Sequence, residues 1–137
     1  MTNFIRQYHD NIQSGKIIAG KWIKCLYDYI TKGLEKGLFF FDQNKADDVI
    51  DWVESNCYHT EGPLAPNLLK LELWQKALLS VMFGIVDDNG KRVFREVVLV
   101  VSRKNGKSLL ASAIANYVWK CGGYGTRIFC IAPKLDQ

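Results

Sequence analysis

Apolar residues recur at helical spacing through the first half of the chain and change to uninterrupted β-type runs in the second. Ala19, Trp22, Ile23, Leu26, Ile30 and Leu34 lie three or four apart, with Lys21, Lys24, Asp28 and Lys32 between them. That spacing predicts an amphipathic helix whose end frays at Gly33 and Gly37. Ala46, Val49, Ile50, Val53 and Cys57 predict a second helix, capped by Asp42 or Asn44. Its acids Asp47, Asp48, Asp51 and Glu54 read as a solvated face rather than a metal cluster, because no second set of ligands accompanies them. The prolines and glycine of residues 61–67 demand a loop. Leu71, Trp74, Ala77, Leu78, Val81 and Met82 predict a third helix ending near Gly84. Asp87-Asp88-Asn89-Gly90 then reads as a turn joining two short strands.

Beyond this turn the pattern is different. Val97-Val98-Leu99-Val100-Val101 is the kind of run expected of a strand buried on both faces of a parallel sheet. Leu110, Ala113, Ile114, Tyr117, Val118 and Cys121 predict an amphipathic helix stopped by Gly122-Gly123, and Arg127–Ala132 reads as another buried strand. Strand, loop, helix and strand make one right-handed βαβ crossover. The fold class expected is therefore α/β: a helical N-terminal region, then the first βαβ unit of a P-loop NTPase parallel sheet. The division expected is residues 1–70 for the helical region and 71–137 for the start of the ATPase domain.

Composition narrows the picture only a little. With 137 residues, 48% hydrophobic and 23% charged, the chain is that of one folded domain rather than a disordered segment. It has no apolar run of membrane-spanning length, and charge interrupts the N-terminus before a secretory signal could form. A cytoplasmic location without membrane attachment is expected. The four cysteines and two histidines form no zinc-type cluster, so the cysteines read as buried free thiols. A net charge of +4 is compatible with nucleic acid without requiring it.

The chemistry lies between the first β run and the helix after it. Ser102-Arg103-Lys104-Asn105-Gly106-Lys107-Ser108 matches the last three positions of the phosphate-binding pattern G-x-x-x-x-G-K-[ST], with Val101 at the place of the first glycine. Gly106 lets the backbone close around a phosphate without a side chain in the way. Successive N–H groups and the helix N-terminus form an anion nest. Lys107 can reach β- and γ-phosphates, and the Ser108 hydroxyl can ligate Mg²⁺. A Gly-Lys-[Ser/Thr] tripeptide occurs by chance in roughly one chain of this length in fifteen, so strand–loop–helix context, not the tripeptide alone, favours phosphate binding over a plain basic turn. For Arg103 and Lys104 the loop leaves two readings open: solvated basic residues, or charge directed at the γ-phosphate and transition state.

Taken together, these segments resemble the large terminase subunit of tailed bacteriophages, in the N-terminal part of its packaging ATPase. The likeness runs from Phe40-Phe41-Asp42 into the acidic helix, through His59-Thr60-Glu61-Gly62, Leu71-Glu72-Leu73-Trp74-Gln75 and the hairpin. It continues over Ser102–Ser108 to Ala132-Pro133-Lys134-Leu135-Asp136-Gln137. The resemblance implies that Gln75 recognises the adenine edge, a task suited to an amide that both donates and accepts. It implies that Lys107 and Ser108 hold the phosphates and Mg²⁺ of ATP, and that Arg103 senses or stabilises the γ-phosphate. It also implies double-stranded DNA as substrate, portal protein and small terminase subunit as partners, and a ring-forming homo-oligomer in the host cytoplasm.

The family further implies an acidic strand end for Mg²⁺, a water-activating glutamate, a coupling motif and a nuclease domain, which the 137 residues do not include. The chain is accordingly expected to be a truncated or split product, or an excerpt, with little or no ATPase activity alone. The competing expectations are a helicase-like P-loop ATPase and a non-catalytic remnant that binds a partner through its helical front.

Overall fold

A computed structural model describes residues 3–60 and 62–131. Residue 61 of the His59–Gly62 segment and residues 132–137 of the last segment quoted above lie outside the described residues. The chain forms two compact units, Met1–Val100 and Val101–Gln137.

The first unit is four helices and a minimal sheet. Helix α1, Phe4–Gln13, starts where the Asn3 side chain accepts the Arg6 N–H at 3.0 Å. It buries Ile5, Tyr8 and Ile12, spaced three and four apart on one face. The sequence reading assigned no element here.

Helix α2, Lys21–Glu35, was foreseen, but its buried face is turned from the expected one. Tyr27, Ile30 and Gly33 are buried, whereas Trp22 is 80% exposed and Ile23 and Leu26 are also exposed. Tyr27 sets its ring edge-on to Tyr8 of α1 at 4.8 Å between centroids, which draws that face inward. Gly33 is not a frayed end. It lies in the helix under the Phe39 ring, where a Cβ would stand 2.7 Å from the ring's Cε1. Gly37, at φ +67, ends the helix in the left-handed region that glycine adopts freely.

Helix α3, Gln43–Asn56, is capped by Asp42, whose carboxylate accepts the Lys45 N–H at 3.1 Å. It buries Ala46, Val49, Ile50 and Val53, as the spacing predicts. Helix α4, Leu73–Leu79, widens into a single π turn at Ser80–Gly84. That turn brings Gly84 beneath Phe41 and Ala46, and its carbonyl accepts the Asp42 N–H at 2.8 Å. The chain is thereby delivered into strand β2, Ile85–Val86, which pairs antiparallel with β1, Phe40–Phe41.

The Asp87–Gly90 turn forms as expected, with Gly90 at φ +69. The Asp87 carboxylate accepts the Asn89 and Lys91 N–H groups, both at 2.9 Å. Its far side is a single bridge, Val86 to Arg92, rather than a second full strand. Strand β2 takes its pairing mainly from β1, which the sequence reading did not foresee. The core gathers Ile5, Tyr8, Ile12, Tyr27, Ile30, Phe39, Ala77, Val81 and Ile85 from α1, α2, the segment before β1, α4, the π turn and β2.

The second unit is built on helix α5, Lys107–Cys121, which buries Leu110 and Ala113. It ends at Gly122, whose N–H donates to the Val118 carbonyl at 2.8 Å.

The two β runs differ from expectation. Among the described residues, neither Val97–Val101 nor 127–131 forms a strand. Val98 and Val100 are about 90% exposed, against about 40% for Val97 and Leu99, so the alternation of an extended chain is present without a neighbour. A strand is defined by hydrogen bonds to another strand, and no described segment supplies them here. The structure is thus mixed helix with a two-stranded sheet, compatible with an α/β chain. The cysteines also depart from expectation: all four are free, but Cys25, Cys121 and Cys130 are exposed, and only Cys57 is partly covered. No helix among the described residues is long and apolar enough to cross a membrane.

Candidate functional site

The loop before α5 owes its form to two residues with left-handed backbone. Lys104 has φ +65, which a residue with a Cβ rarely adopts, and Gly106 has φ +67 with ψ 16. Asn105 stands between them and clamps the loop. Its Nδ2 donates to the Ser102 hydroxyl at 2.6 Å and makes longer contacts, 3.4 Å, with the Ser102 and Arg103 carbonyls. The Gly106 carbonyl then accepts the Leu110 N–H at 2.9 Å, which begins the helix.

Such a helix start leaves the N–H groups of its first turn without intrahelical acceptors and with positive potential. No acid occupies the first turn of α5 to neutralise it. Between residues 101 and 131 the basic side chains are Arg103, Lys104, Lys107, Lys120 and Arg127, and there is no Asp or Glu. Ser102 through Ser108 are all exposed. The loop is an open, acid-free surface bearing three cations, two hydroxyls and free N–H donors, a composition that suits a polyanion.

Of the residues singled out from sequence, Ser102, Arg103, Lys104, Asn105, Gly106, Lys107 and Ser108 are contiguous in this loop and helix start, in the second unit. Gln75 lies in the first unit, at the third position of α4. It is 8% exposed, and its Oε1 accepts the Glu72 N–H at 2.8 Å. The residue therefore closes the N-terminus of its helix, a duty the sequence reading did not assign.

Two further groups escaped that reading. Glu54, taken for solvated helix face, is half-buried. Its carboxylate accepts the Leu71 N–H at 2.8 Å and pairs with the Lys76 ammonium at 2.9 Å. The partners lie 17 and 22 positions away, where periodicity carries no signal. The second group lines a groove of about 300 Å³ that includes His9, Gln13, Asp28 and Thr31. There the Asp28 carboxylate meets His9 Nε2 at 2.8 Å and the Gln13 amide at 2.9 Å. The hydrogen bond from His9, aided by charge from His9 and Lys32, holds Asp28 below the ordinary carboxylate range.

The loop thus leads into a helix start with no acid in its first turn. The family model described as "Terminase large subunit, ATPase domain" matches residues 73–137. The terminase large subunits of Lactococcus phage p2 and Lactococcus phage SK1 are each 30% identical to this chain over 123 residues, covering 80% of it. The chain spans 22% of the length of these relatives. No solved structure matches it significantly. The chain belongs to the terminase large subunit family, and its second half to the family's ATPase domain.

Proposed function

We propose that this chain is the ATP-Mg-binding front of a viral DNA-packaging motor. The observation that carries the reading is the loop itself: left-handed Lys104 and Gly106, the Asn105 clamp, and an acid-free helix start. Lys107 neutralises charge on the β- and γ-phosphate oxygens, and the first N–H groups of α5 donate to them. Ser108 would supply one hydroxyl ligand to Mg²⁺, which would offset phosphate charge. Arg103 directs its guanidinium at the γ-phosphate, where it steadies the charge that develops on transfer. Ser102 and Asn105 hold the loop open, and Lys104 adds to its field. Gln75 recognises adenine.

In this reading Val97–Val101 and Arg127–Ala132 are core strands of the ATPase's parallel sheet, with α5 as their crossover. Their β-branched composition and their apolar exposure in isolation support this. Residues 1–70 form the helical region and 71–137 begin the ATPase domain. The motor's substrate is double-stranded DNA, held through its phosphates, a contact that carries little sequence information. The portal protein and small terminase subunit are its partners, and the working form is a ring of identical copies in the host cytoplasm.

Binding and hydrolysis separate on chemical grounds. No carboxylate accompanies the loop between residues 101 and 131 to complete the Mg²⁺ shell or to activate water. This chain alone is expected to bind ATP-Mg with little or no turnover in a phosphate-release assay. Mg²⁺-dependent turnover abolished by Lys107→Ala would overturn that separation.

A further inference from the structure

We propose that Glu54 is a positioning residue that sets the selectivity of Gln75 for adenine over guanine; this rests on the adenine role given to Gln75 above. Glu54 reaches from the last turn of α3 to both sides of Gln75. Its Oε1 accepts the Leu71 N–H at 2.8 Å, and its carboxylate pairs with Lys76, the residue after Gln75, at 2.9 and 3.0 Å. The two charged side chains are 27% and 21% exposed, so water screens the pair less than it would on an open surface. Lys76 is also held over the Phe4 ring of α1, 5.3 Å from its centroid. The N-terminus of α4 is thereby tied to α3 and α1 at the residues flanking Gln75.

Fixing that backbone fixes an amide. The Glu72 N–H can only donate, so the oxygen of the Gln75 side chain must face it, and the amide cannot turn over without losing the 2.8 Å bond. The amide that remains offers Nε2 donors beside the second lone pair of Oε1. Adenine presents an acceptor, N7, beside a donor, the N6 amino group, which match this pair. Guanine presents two acceptors, N7 and O6, one of which would face Oε1. A locked amide rejects guanine, whereas a loose one can turn and donate to it. The bracket from Glu54 to Leu71 and Lys76 keeps the amide locked.

The test is a titration of the chain with ATP, GTP and inorganic tripolyphosphate, followed by fluorescence, for wild type, Gln75→Ala, Glu54→Ala, Glu54→Gln and Lys76→Met. Wild type is expected to favour ATP over GTP. Glu54→Ala should lower that ratio about tenfold, the scale of a misplaced binding group, with tripolyphosphate affinity within about twofold of wild type. Glu54→Gln, which keeps an acceptor for the Leu71 N–H, should restore most of the ratio. Lys76→Met should lower it severalfold, and carries the test if Glu54→Ala does not fold by circular dichroism. If Gln75→Ala collapses the ratio while folded Glu54→Ala or Lys76→Met leaves it intact, the positioning role is overturned and the adenine role stands. A ratio unchanged by Gln75→Ala overturns the adenine role, and the positioning role with it.

Discussion

The two units use their sequence for different ends. The first buries Ile30, Val49, Val53, Leu79 and Ile85 almost completely, and closes three of its four helix starts with Asn3, Asp42 and Gln75, leaving only that of α2 without a side-chain cap. Among its described residues the second buries only Leu110 and Ala113 and presents Phe129 and Ile131 largely bare, yet it carries the loop with three cations and no acid. Apolar burial is the main source of folding free energy, and a helix start with open N–H groups is a source of binding energy only where it stays uncovered. One region is organised to hold its own fold; in the proposed function the other meets an anion.

The largest expected effect would break this contrast most easily. Ile30→Ala removes a fully buried side chain from the core of the first unit and should cost about 3–4 kcal/mol in urea unfolding. Leu110→Ala acts in a sparsely packed unit, where the site can collapse, and should cost less than about 2 kcal/mol. Equal losses would show that the second unit is as tightly packed as the first.

The smallest expected effect concerns acid. Asp87 lies below the ordinary carboxylate range, foremost because it accepts the Lys91 N–H and also that of Asn89, with help from the Lys91 and Arg95 charges. Asp28 is lowered by His9 in the same direction. A carboxyl whose pKa is lower folded than unfolded stabilises the fold above its unfolded value, near 4, and loses that contribution as pH falls through the folded value. Thermal unfolding should therefore be flat from neutrality to about pH 5 and decline modestly below about pH 4. Asp87→Asn should make that decline shallower, and an unchanged acid limb would remove Asp87 from the account.

Much of the first unit was legible because its signals are local. The Asp42 cap, the Ala46–Val53 face of α3 and the Asp87–Gly90 turn each lie within a few residues of their cause, as does the glycine stop of α5 in the second unit. Helix α1 was missed because only Ile5, Tyr8 and Ile12 mark its face, amid polar neighbours. The face of α2 was misread because Tyr27 and Gly33, one amphipathic and one without a side chain, carry little weight in a hydrophobic count. Their burial depends on Tyr8 and Phe39 arriving from elsewhere in the chain.

The β runs show the same limit from the other side. Composition states that Val97–Val101 favours a strand, but pairing depends on another segment. At the loop, the motif residues were legible as a group, whereas the left-handed Lys104 and the Asn105 clamp needed backbone geometry. The bracket by Glu54 needed tertiary contacts.

In the proposed function the Ser102–Ser108 loop holds the phosphates of a nucleotide. Its most direct test is equilibrium titration of the chain with ATP-Mg beside its Lys107→Ala variant, with circular dichroism showing both folded. Lys107 is exposed at a helix start and supports no packing, so the variant should keep the wild-type fold. Loss of a charge-assisted phosphate contact should weaken binding at least about tenfold. Equal affinity of the two folded proteins for ATP-Mg would contradict the account.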